Sequence, residues 1–193
     1  MPTQQSEESL LRDILRQRSI RRGSFTLASG QISDIYIDAR LTTCSADAMA
    51  LVGRVFLRRM RERGWFPRAA GGLTMGADPI AFAIARESAT FGGDPINAFV
   101  VRKEPKKHGL EKYIEGIEET QGLPVVIIED VCTTGGSTAL AIERALAAGM
   151  RVIGAICLVD REMGATGRIS GSFNIPLESI FKLADLSKMQ MPQ

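Results

Sequence analysis

Two adjacent carboxylates and a run of small residues form the stretch of the chain best suited to chemistry. The carboxylates are Glu129 and Asp130, and the residues that follow are Val131-Cys132-Thr133-Thr134-Gly135-Gly136-Ser137. Glycines let the backbone turn and approach a ligand closely, and successive backbone N–H groups attract an anion such as a phosphate. Carboxylates accept hydrogen bonds from sugar hydroxyls. Phosphate donors beside sugar acceptors predict a site for a ribose phosphate.

A buried strand and a helix must hold these groups in place. Residues 125–128 are four β-branched apolar residues in a row, which is typical of a strand buried on both faces of a parallel sheet. The carboxylates then lie at the carboxyl end of that strand, where open α/β sheets bind ligands. Ser137 is predicted to cap a helix that runs to Ala148. The chain contains neither G-x-x-x-x-G-K-[ST] nor G-x-G-x-x-G, which argues against kinase and dinucleotide sites.

A second candidate segment is basic and lies between two predicted strands. Residues 102–112 contain five basic residues, Arg102, Lys103, Lys106, Lys107 and Lys112, against two acidic ones. Pro105 and Gly109 interrupt the segment, and it shows no helical periodicity. A polar loop of this length between core strands is uncommon unless it has a function. It predicts a mobile basic flap over residues 102–116 with His108 at its centre, and the alternative is a solvated surface loop.

Helices and strands alternate along the rest of the chain. Helices are predicted at residues 6–22, at residues 45–63 with Ser45 as the cap, and from Pro79 to residue 85. Strands are predicted near residue 69 and at residues 97–101 and 151–159, with an extended segment within 175–186 and a hairpin around Ser29-Gly30. This alternation predicts an α/β fold with an open, mostly parallel sheet flanked by helices. We expect one domain over residues 1–193.

Composition narrows the class of protein further. The 193 residues carry 24 basic and 22 acidic side chains, so the overall charge suggests neither a nucleic-acid nor a membrane partner. The three cysteines lack C-x-x-C spacing, which argues for a reducing compartment and against disulfides or a zinc site. A single histidine excludes a poly-histidine metal centre. Without an apolar signal segment at the N-terminus, we expect a cytoplasmic protein.

Four stretches resemble, in order, motifs of the orotate phosphoribosyltransferases, which are type I phosphoribosyltransferases. Residues 125–137 resemble the motif that binds phosphoribosyl pyrophosphate (PRPP), and Val159-Asp160-Arg161 resembles the family's V-D-R element. The hairpin Phe25-Thr26-Leu27-Ala28-Ser29-Gly30 resembles its F-x-L-x-S-G segment. The basic segment Arg102-Lys103-Glu104-Pro105-Lys106-Lys107-His108-Gly109 resembles its R-K-E-x-K-x-H-G loop, which other type I members do not carry. The resemblance covers about residues 20–165.

The resemblance implies an activity and a fold. The activity is transfer of the 5-phosphoribosyl group from PRPP to orotate, which gives orotidine 5′-monophosphate and pyrophosphate in pyrimidine biosynthesis, with Mg²⁺ as the cofactor. The fold is that of type I phosphoribosyltransferases. It includes a small N-terminal hood, here at about residues 1–40, before an α/β core at about residues 41–193. The family's flap reaches into the neighbouring subunit, which implies a homodimer.

The resemblance also implies roles for individual residues. Contacts to pyrophosphate would come from Arg102, Lys103, Lys106 and His108. Glu129 and Asp130 would hold the ribose hydroxyls and lie near Mg²⁺, which PRPP and water would mainly hold. The PRPP site would continue through Val131, Cys132, Thr133, Thr134, Gly135, Gly136 and Ser137, where residues 133–137 bind the 5′-phosphate. Orotate would contact Thr133 and Arg161. The catalytic residues would be Lys103, Lys106, His108 and Asp130.

Two departures from the family pattern keep other readings open. Ala28 stands where some members have Lys, and Met75-Gly76 stands where some have an aromatic residue followed by Lys. One alternative function is a phosphoribosyltransferase for another base, which needs no arginine for a carboxylate. The other is a PRPP-sensing regulator that binds nucleic acid. Arg161 has an alternative of its own, which is a surface ion pair with Asp160 or Glu162.

Overall fold

A six-stranded sheet organises the part of the chain that the computed structural model describes, which is residues 6–26, 32–90, 94–105 and 112–187. The strands are β1 (Ile20–Thr26), β2 (Ile32–Ile37), β3 (Ala69–Leu73), β4 (Asn97–Val101), β5 (Ile114–Glu115), β6 (Pro124–Cys132), β7 (Arg151–Asp160) and β8 (Leu177–Lys182). The helices are α1 (Glu7–Arg18), α2 (Arg40–Thr43), α3 (Met49–Glu62), α4 (Asp78–Thr90), α5 (Gly136–Ala147), α6 (Ala165–Phe173) and α7 (Leu183–Ser187).

The order of the strands confirms the predicted open, mostly parallel α/β sheet. It runs β5-β4-β3-β6-β7-β8, and every neighbouring pair is parallel except β4 with β5. The chain therefore builds outward from β3 in one direction through β4 and in the other through β6. Such a reversal opens a crevice at the carboxyl ends of the two strands. β1 and β2 form a separate antiparallel pair, with Tyr36 opposite Arg21.

Residues of β6 form part of both halves of the core. Val126 and Ile128 belong to one apolar cluster, with side chains of α1, α3 and α4. Val125 and Ile127 belong to the other, with side chains of α5 and α6. All four are fully buried, because successive side chains of a strand point to opposite faces and both faces are covered by helices. β6 is thus the central strand that its apolar run predicted.

Several helices begin or end at other residues than predicted, among them α4, which continues to Thr90 instead of ending at residue 85. The helix predicted over residues 6–22 ends at Arg18, because Ile20–Thr26 pairs with β2, and Gly23 lies inside that strand. Ser45 does not cap α3, which begins at Met49 after Ala48. Its hydroxyl instead donates to the carbonyl oxygen of Thr42 in the preceding turn, at 2.7 Å. Within the described ranges, no helix is long and apolar enough to cross a membrane.

Candidate active site

The carboxyl end of β6 opens into a cavity of about 420 Å³. Side chains from three separate parts of the chain line it. They are Tyr36 and Ile37 from β2, Arg161 after β7, and Glu129, Val131, Cys132, Thr133, Thr134, Gly135, Gly136, Ser137 and Thr138 from β6 and the start of α5. The structure therefore brings the predicted phosphate loop, one predicted carboxylate and the predicted orotate-binding arginine to one site.

The loop between β6 and α5 ends in a left-handed glycine. Gly135 precedes α5 with a φ of 77°, a conformation that glycine adopts without steric cost. The prediction that Ser137 caps this helix is therefore wrong, since Ser137 is the second residue of the helix and no side chain caps it. The first N–H groups of a helix lack partners within the helix and carry its positive dipole end. Because no side chain takes these donors, they are available to an anion at the cavity.

Glu129 lies at the base of the cavity with its carboxylate almost fully buried, at 6% exposure. The hydroxyl of Thr138 donates a hydrogen bond to its Oε2 at 3.2 Å. Burial raises the pKa of Glu129 well above its usual value, and the nearby charge of Asp130 raises it further. Glu129 therefore keeps its proton to a higher pH than an exposed glutamate does.

Asp130 lies in a second cavity, of about 270 Å³, that shares walls with the first. Ile37, Glu129, Val131 and Ser137 line both cavities. The second one adds Asp130, Lys103, Arg40 and the turn Thr74-Met75-Gly76 after β3. A Cβ atom built on Gly76 would lie 2.5 Å from Oδ1 of Asp130, closer than side-chain atoms approach each other. Gly76 is one of the positions where the chain departs from the family pattern. Because it has no side chain, the turn can lie against the Asp130 carboxylate.

Arg161 points its guanidinium into the molecule. The residue is 8% exposed, and its Nη2 donates to Oγ of Ser33 at 2.9 Å and to the carbonyl oxygen of Ile35 at 3.2 Å. It forms no ion pair within the described ranges, so the alternative of a surface pair with Asp160 or Glu162 is wrong. Its buried Nε has no hydrogen-bond partner in the described part of the chain. Burial lowers the pKa of Arg161 from its usual value, although a guanidinium keeps its charge.

The predicted flap residues are only partly described. Lys106 and His108, with the turn at Ser29-Gly30, lie outside the described residues. Lys103 lines the second cavity of its own chain. Arg102 lines neither cavity, because its side chain faces Glu115 at 3.5 Å and bonds to the carbonyl oxygen of Glu104. Residues 102 to 105 directly follow β4, and they thus lie next to the site.

Sequence reasoning missed three residues that shape the site. Ser33 orients Arg161, Thr138 bonds to Glu129, and Arg40 lines the second cavity while its Nε bonds to Oδ1 of Asp38 at 3.0 Å. Ser33 and Arg40 come from the first part of the chain, so no local spacing signals their approach to β6 and β7. Thr138 had a detectable signal, because it directly follows the phosphate loop.

The donor set fits a weakly held Mg²⁺ rather than a protein cage for a metal. No group of three or more metal-binding side chains occurs among residues 6–26, 32–90, 94–105 and 112–187. Two adjacent carboxylates, Glu129 and Asp130, lie at the cavities. Mg²⁺ commonly binds one or two carboxylates together with substrate phosphates and water. These two residues would therefore hold the ion jointly with a phosphorylated substrate.

Comparison with known proteins identifies similar chains over nearly the whole length. The orotate phosphoribosyltransferase of Mycobacterium avium is 42% identical over 176 residues, which span 91% of this chain and 94% of that protein. That of Aquifex aeolicus is 40% identical over 183 residues, which span 93% of this chain and 97% of that protein. No family model matches the chain.

A solved structure agrees in fold. The crystal structure of Mycobacterium tuberculosis orotate phosphoribosyltransferase in complex with PRPP superimposes with a TM-score of 0.78 at 36% identity. The superposition covers 95% of this chain and the whole of that chain. The architecture and the sequence similarity thus point to the same group of proteins.

Proposed function

The chain belongs to the orotate phosphoribosyltransferase family, and from this premise we propose that it transfers the 5-phosphoribosyl group of PRPP to orotate. The products are orotidine 5′-monophosphate and pyrophosphate, as in pyrimidine biosynthesis. The fold of the chain is the type I phosphoribosyltransferase fold. We further propose that residues 1–193 form one domain with an N-terminal hood, which the separate β1–β2 pair supports.

The observation that carries this function is the buried Arg161 guanidinium beside the phosphate loop. Both line one cavity, so a ligand can carry a phosphate at one end and a carboxylate at the other. Nη2 of Arg161 is held by Ser33 and Ile35, which leaves the buried Nε as a donor without a partner in the described ranges. A carboxylate offers the charge and the acceptor that such a donor needs. Orotate has this carboxylate, and uracil does not.

The PRPP site that we propose follows β6 into α5. The backbone N–H groups and hydroxyls of Thr133 to Ser137 bind the 5′-phosphate at the start of the helix. Val131 and Cys132 form the wall beside it. The ribose hydroxyls lie against Glu129 and Asp130, which hold Mg²⁺ together with PRPP and water. Bound there, Mg²⁺ supplies charge that stabilises a departing pyrophosphate.

The reaction that we propose breaks the bond from ribose C1 to pyrophosphate and forms a bond from C1 to N1 of orotate. The electron pair of the broken bond leaves with pyrophosphate, and positive charge spreads over C1 and the ring oxygen, as in glycoside cleavage. Arg102, Lys103, Lys106 and His108 stabilise the negative charge that builds on the leaving group. Orotate attacks through N1, with Thr133 and Arg161 holding it in place, and the proton of N1 passes to pyrophosphate or to water. No protein nucleophile takes part.

The flap over residues 102–116 and a homodimer complete the proposal. A closed flap excludes water, which would otherwise hydrolyse PRPP. Because the basic loop resembles that of the family, we propose that the tip of the flap acts in the neighbouring subunit. The active form is then a dimer. Cys44, Cys132 and Cys157 are free thiols, which supports the cytoplasmic location that we propose. Substrates are small molecules, and we propose no nucleic-acid or membrane partner.

The test is base consumption by the purified full chain with PRPP and Mg²⁺. Orotate, uracil, hypoxanthine and adenine are supplied in turn, and the loss of base is followed by ultraviolet absorbance together with pyrophosphate release. We expect turnover with orotate and none with the other three bases. Turnover with a neutral base in place of orotate would contradict the proposed substrate.

Arg161→Ala provides the residue-level control in the same assay. We expect it to lower kcat/KM for orotate by about 100-fold or more, because the carboxylate loses a buried, charged hydrogen-bond donor. Arg61 on α3 is exposed, and its side chain makes no ion pair or hydrogen bond within the described ranges, so Arg61→Ala is the matched control. Equal kinetics for these two variants would refute the role of Arg161.

A further inference from the structure

Arg144 lies near the end of α5, the helix that begins at the phosphate loop. It is half-buried, and neither cavity of the site includes it. A basic residue in the last turn of a helix is ordinarily explained by the helix dipole and a solvated side chain. The guanidinium of Arg144 goes beyond that explanation, because its two hydrogen bonds and its ring contact within the described ranges are with the two ends of the flap.

The guanidinium of Arg144 binds the chain where it enters the flap. Its Nη1 donates to the carbonyl oxygen of Arg102, and its Nη2 donates to that of Lys103 at 2.7 Å. Two donors of one planar group therefore fix two successive peptide carbonyls. Hydrogen bonds from a charged donor are stronger than neutral ones, and the fork of an arginine loses less freedom in forming them than a lysine does.

The same guanidinium also contacts the chain where it leaves the flap. It lies over the ring of Tyr113, 4.1 Å from the ring centroid, which is the geometry of a cation–π interaction. The backbone N–H of Arg102 donates to the carbonyl oxygen of Tyr113 at 2.8 Å. Beyond these residues, β4 and β5 continue as an antiparallel pair, with Val101 opposite Ile114. Arg144 thus contacts the chain on both sides of the segment between Glu104 and Lys112, and we call these two joined sides the neck of the flap.

We propose that Arg144 is a positioning residue of the transfer reaction, which acts by holding the root of the flap in register with the phosphate loop. Because Arg144 bonds to the main chain of Arg102 and Lys103, it does not occupy either side chain, and that of Lys103 lines the second cavity. A single helix joins the phosphate loop to this clamp, so the distance between them is fixed by α5. This proposal rests on the proposed function for its kinetic consequence and on geometry alone for its structural one.

The first measurement needs no turnover. Full-length protein, Arg144→Ala and the control Arg61→Ala are treated with trypsin, and the cut sites are identified by mass spectrometry. Cleavage at Arg102, Lys103, Lys106, Lys107 and Lys112 reports the freedom of the flap. We expect it to be about tenfold faster in Arg144→Ala than in the other two proteins, since opening of the neck then exposes these bonds. Equal cleavage rates would overturn the clamp, whatever reaction the protein catalyses.

The second measurement separates positioning from general destabilisation. We expect kcat/KM for PRPP to fall about tenfold in Arg144→Ala, while KM for orotate and the thermal midpoint stay near those of Arg61→Ala. Arg144→Lys, which keeps the charge without the fork, should recover part of this loss and also serves if the alanine variant fails to fold. Tyr113→Phe keeps the ring and should behave as the parent. Unchanged PRPP kinetics in Arg144→Ala and Arg144→Lys would overturn the positioning role.

Discussion

At the scale of single residues, the site contains a buried carboxyl group, that of Glu129, and a buried guanidinium, that of Arg161, whose surroundings differ. Glu129 is buried and its pKa is raised, chiefly by the loss of solvent and also by Asp130. Arg161 is buried as well, but two oxygen acceptors hold it. The charge of the Glu129 carboxylate is therefore poorly stabilised, while the Arg161 guanidinium is already oriented by hydrogen bonds. This difference gives Glu129 a measurable effect on stability.

Replacing Glu129 by Gln should change how stability depends on pH. In the folded chain Glu129 keeps its proton to a higher pH than in the unfolded chain, where its pKa is near the ordinary 4.5. Above that pH the unfolded state releases a proton that the folded state retains, so the parent loses stability as the pH rises. The loss is at most about 1.4 kcal/mol per pH unit, and it ends above the folded pKa.

Urea unfolding of both proteins from pH 4 to pH 8 gives the comparison. We expect the free energy of unfolding of Glu129→Gln, relative to the parent, to increase with pH above 4.5, because glutamine does not titrate. Groups that do not interact with Glu129 cancel in this difference. A difference that stays constant over the whole range would show that burial does not shift the pKa of Glu129.

Gly76 shows what the sequence conceals at this scale. From the sequence, Met75-Gly76 counts only as one of two departures at which a possible ligand contact is absent. In the structure the missing side chain leaves room for the Asp130 carboxylate, whose Oδ1 lies 2.5 Å from where a Cβ would be. The reason is not visible in the sequence, since the two residues lie on different strand ends and meet only because β3 and β6 are neighbours.

At the scale of elements, α5 is the part that links the site together. It starts at the phosphate loop, packs its buried face on the sheet through Ile142 and Ala145, and carries Arg144 near its other end. The strand and the helix were both predictable from periodicity and composition. The cap was not, because hydroxyl residues favour caps in general, while here the backbone takes a left-handed turn at Gly135 instead.

Substitution of Gly135 tests this turn. We expect Gly135→Ala to lower the free energy of unfolding by about 1 kcal/mol, because an alanine with a φ near 77° is strained. Gly135→Asn should lose less, since asparagine tolerates left-handed backbone better. An added Cβ would meet Ala165 only at ordinary contact distance, so crowding does not explain a loss. Chemical denaturation of the parent and the two variants measures the free energy of unfolding. Equal losses in Gly135→Ala and Gly135→Asn would contradict the backbone explanation.

Sequence reasoning missed the nine-residue helix α6 and three short elements. α2, β5 and α7 have four, two and five residues, and their formation depends on the neighbours they pack against rather than on their own periodicity. β5 lies within the predicted flap over residues 102–116, whose sequence shows no strand periodicity. The long, periodic elements α1, α3, β6 and β7 were predicted, although the ends of α1 and α3 were wrong.

At the scale of the whole molecule, the fold was predictable because strands and helices alternate and β6 is continuously apolar. The order of the strands was not, since it depends on long-range pairing such as that of β3 with β6. The proposed homodimer also belongs to this scale. Its distinguishing feature is that each site would take its flap tip from the other chain.

A mixture of two inactive variants tests that sharing. Lys106→Ala removes a flap residue, and Arg161→Ala removes a residue of the site itself. If the flap serves the neighbouring site, half of the sites in a mixed dimer carry no change, and an equal mixture allowed to exchange subunits regains about a quarter of the parent activity. Each variant treated alone is the control. If the mixture stays inactive although mass spectrometry shows mixed dimers, the flap serves its own site.

The pairing of β5 with β4 has a consequence outside catalysis. β4 would otherwise end the sheet with an open row of N–H and C=O groups, and such edges attract strands from other molecules. β5 covers the end of β4 at Val100 and Val101, and it brings the charge of Glu115 to that edge. By pairing with β4, the root of the flap therefore also protects the chain against aggregation through this edge. Shortening the flap within residues 104–112 leaves this protection in place, whereas excising residues 102–116 exposes a strand edge and favours insoluble protein.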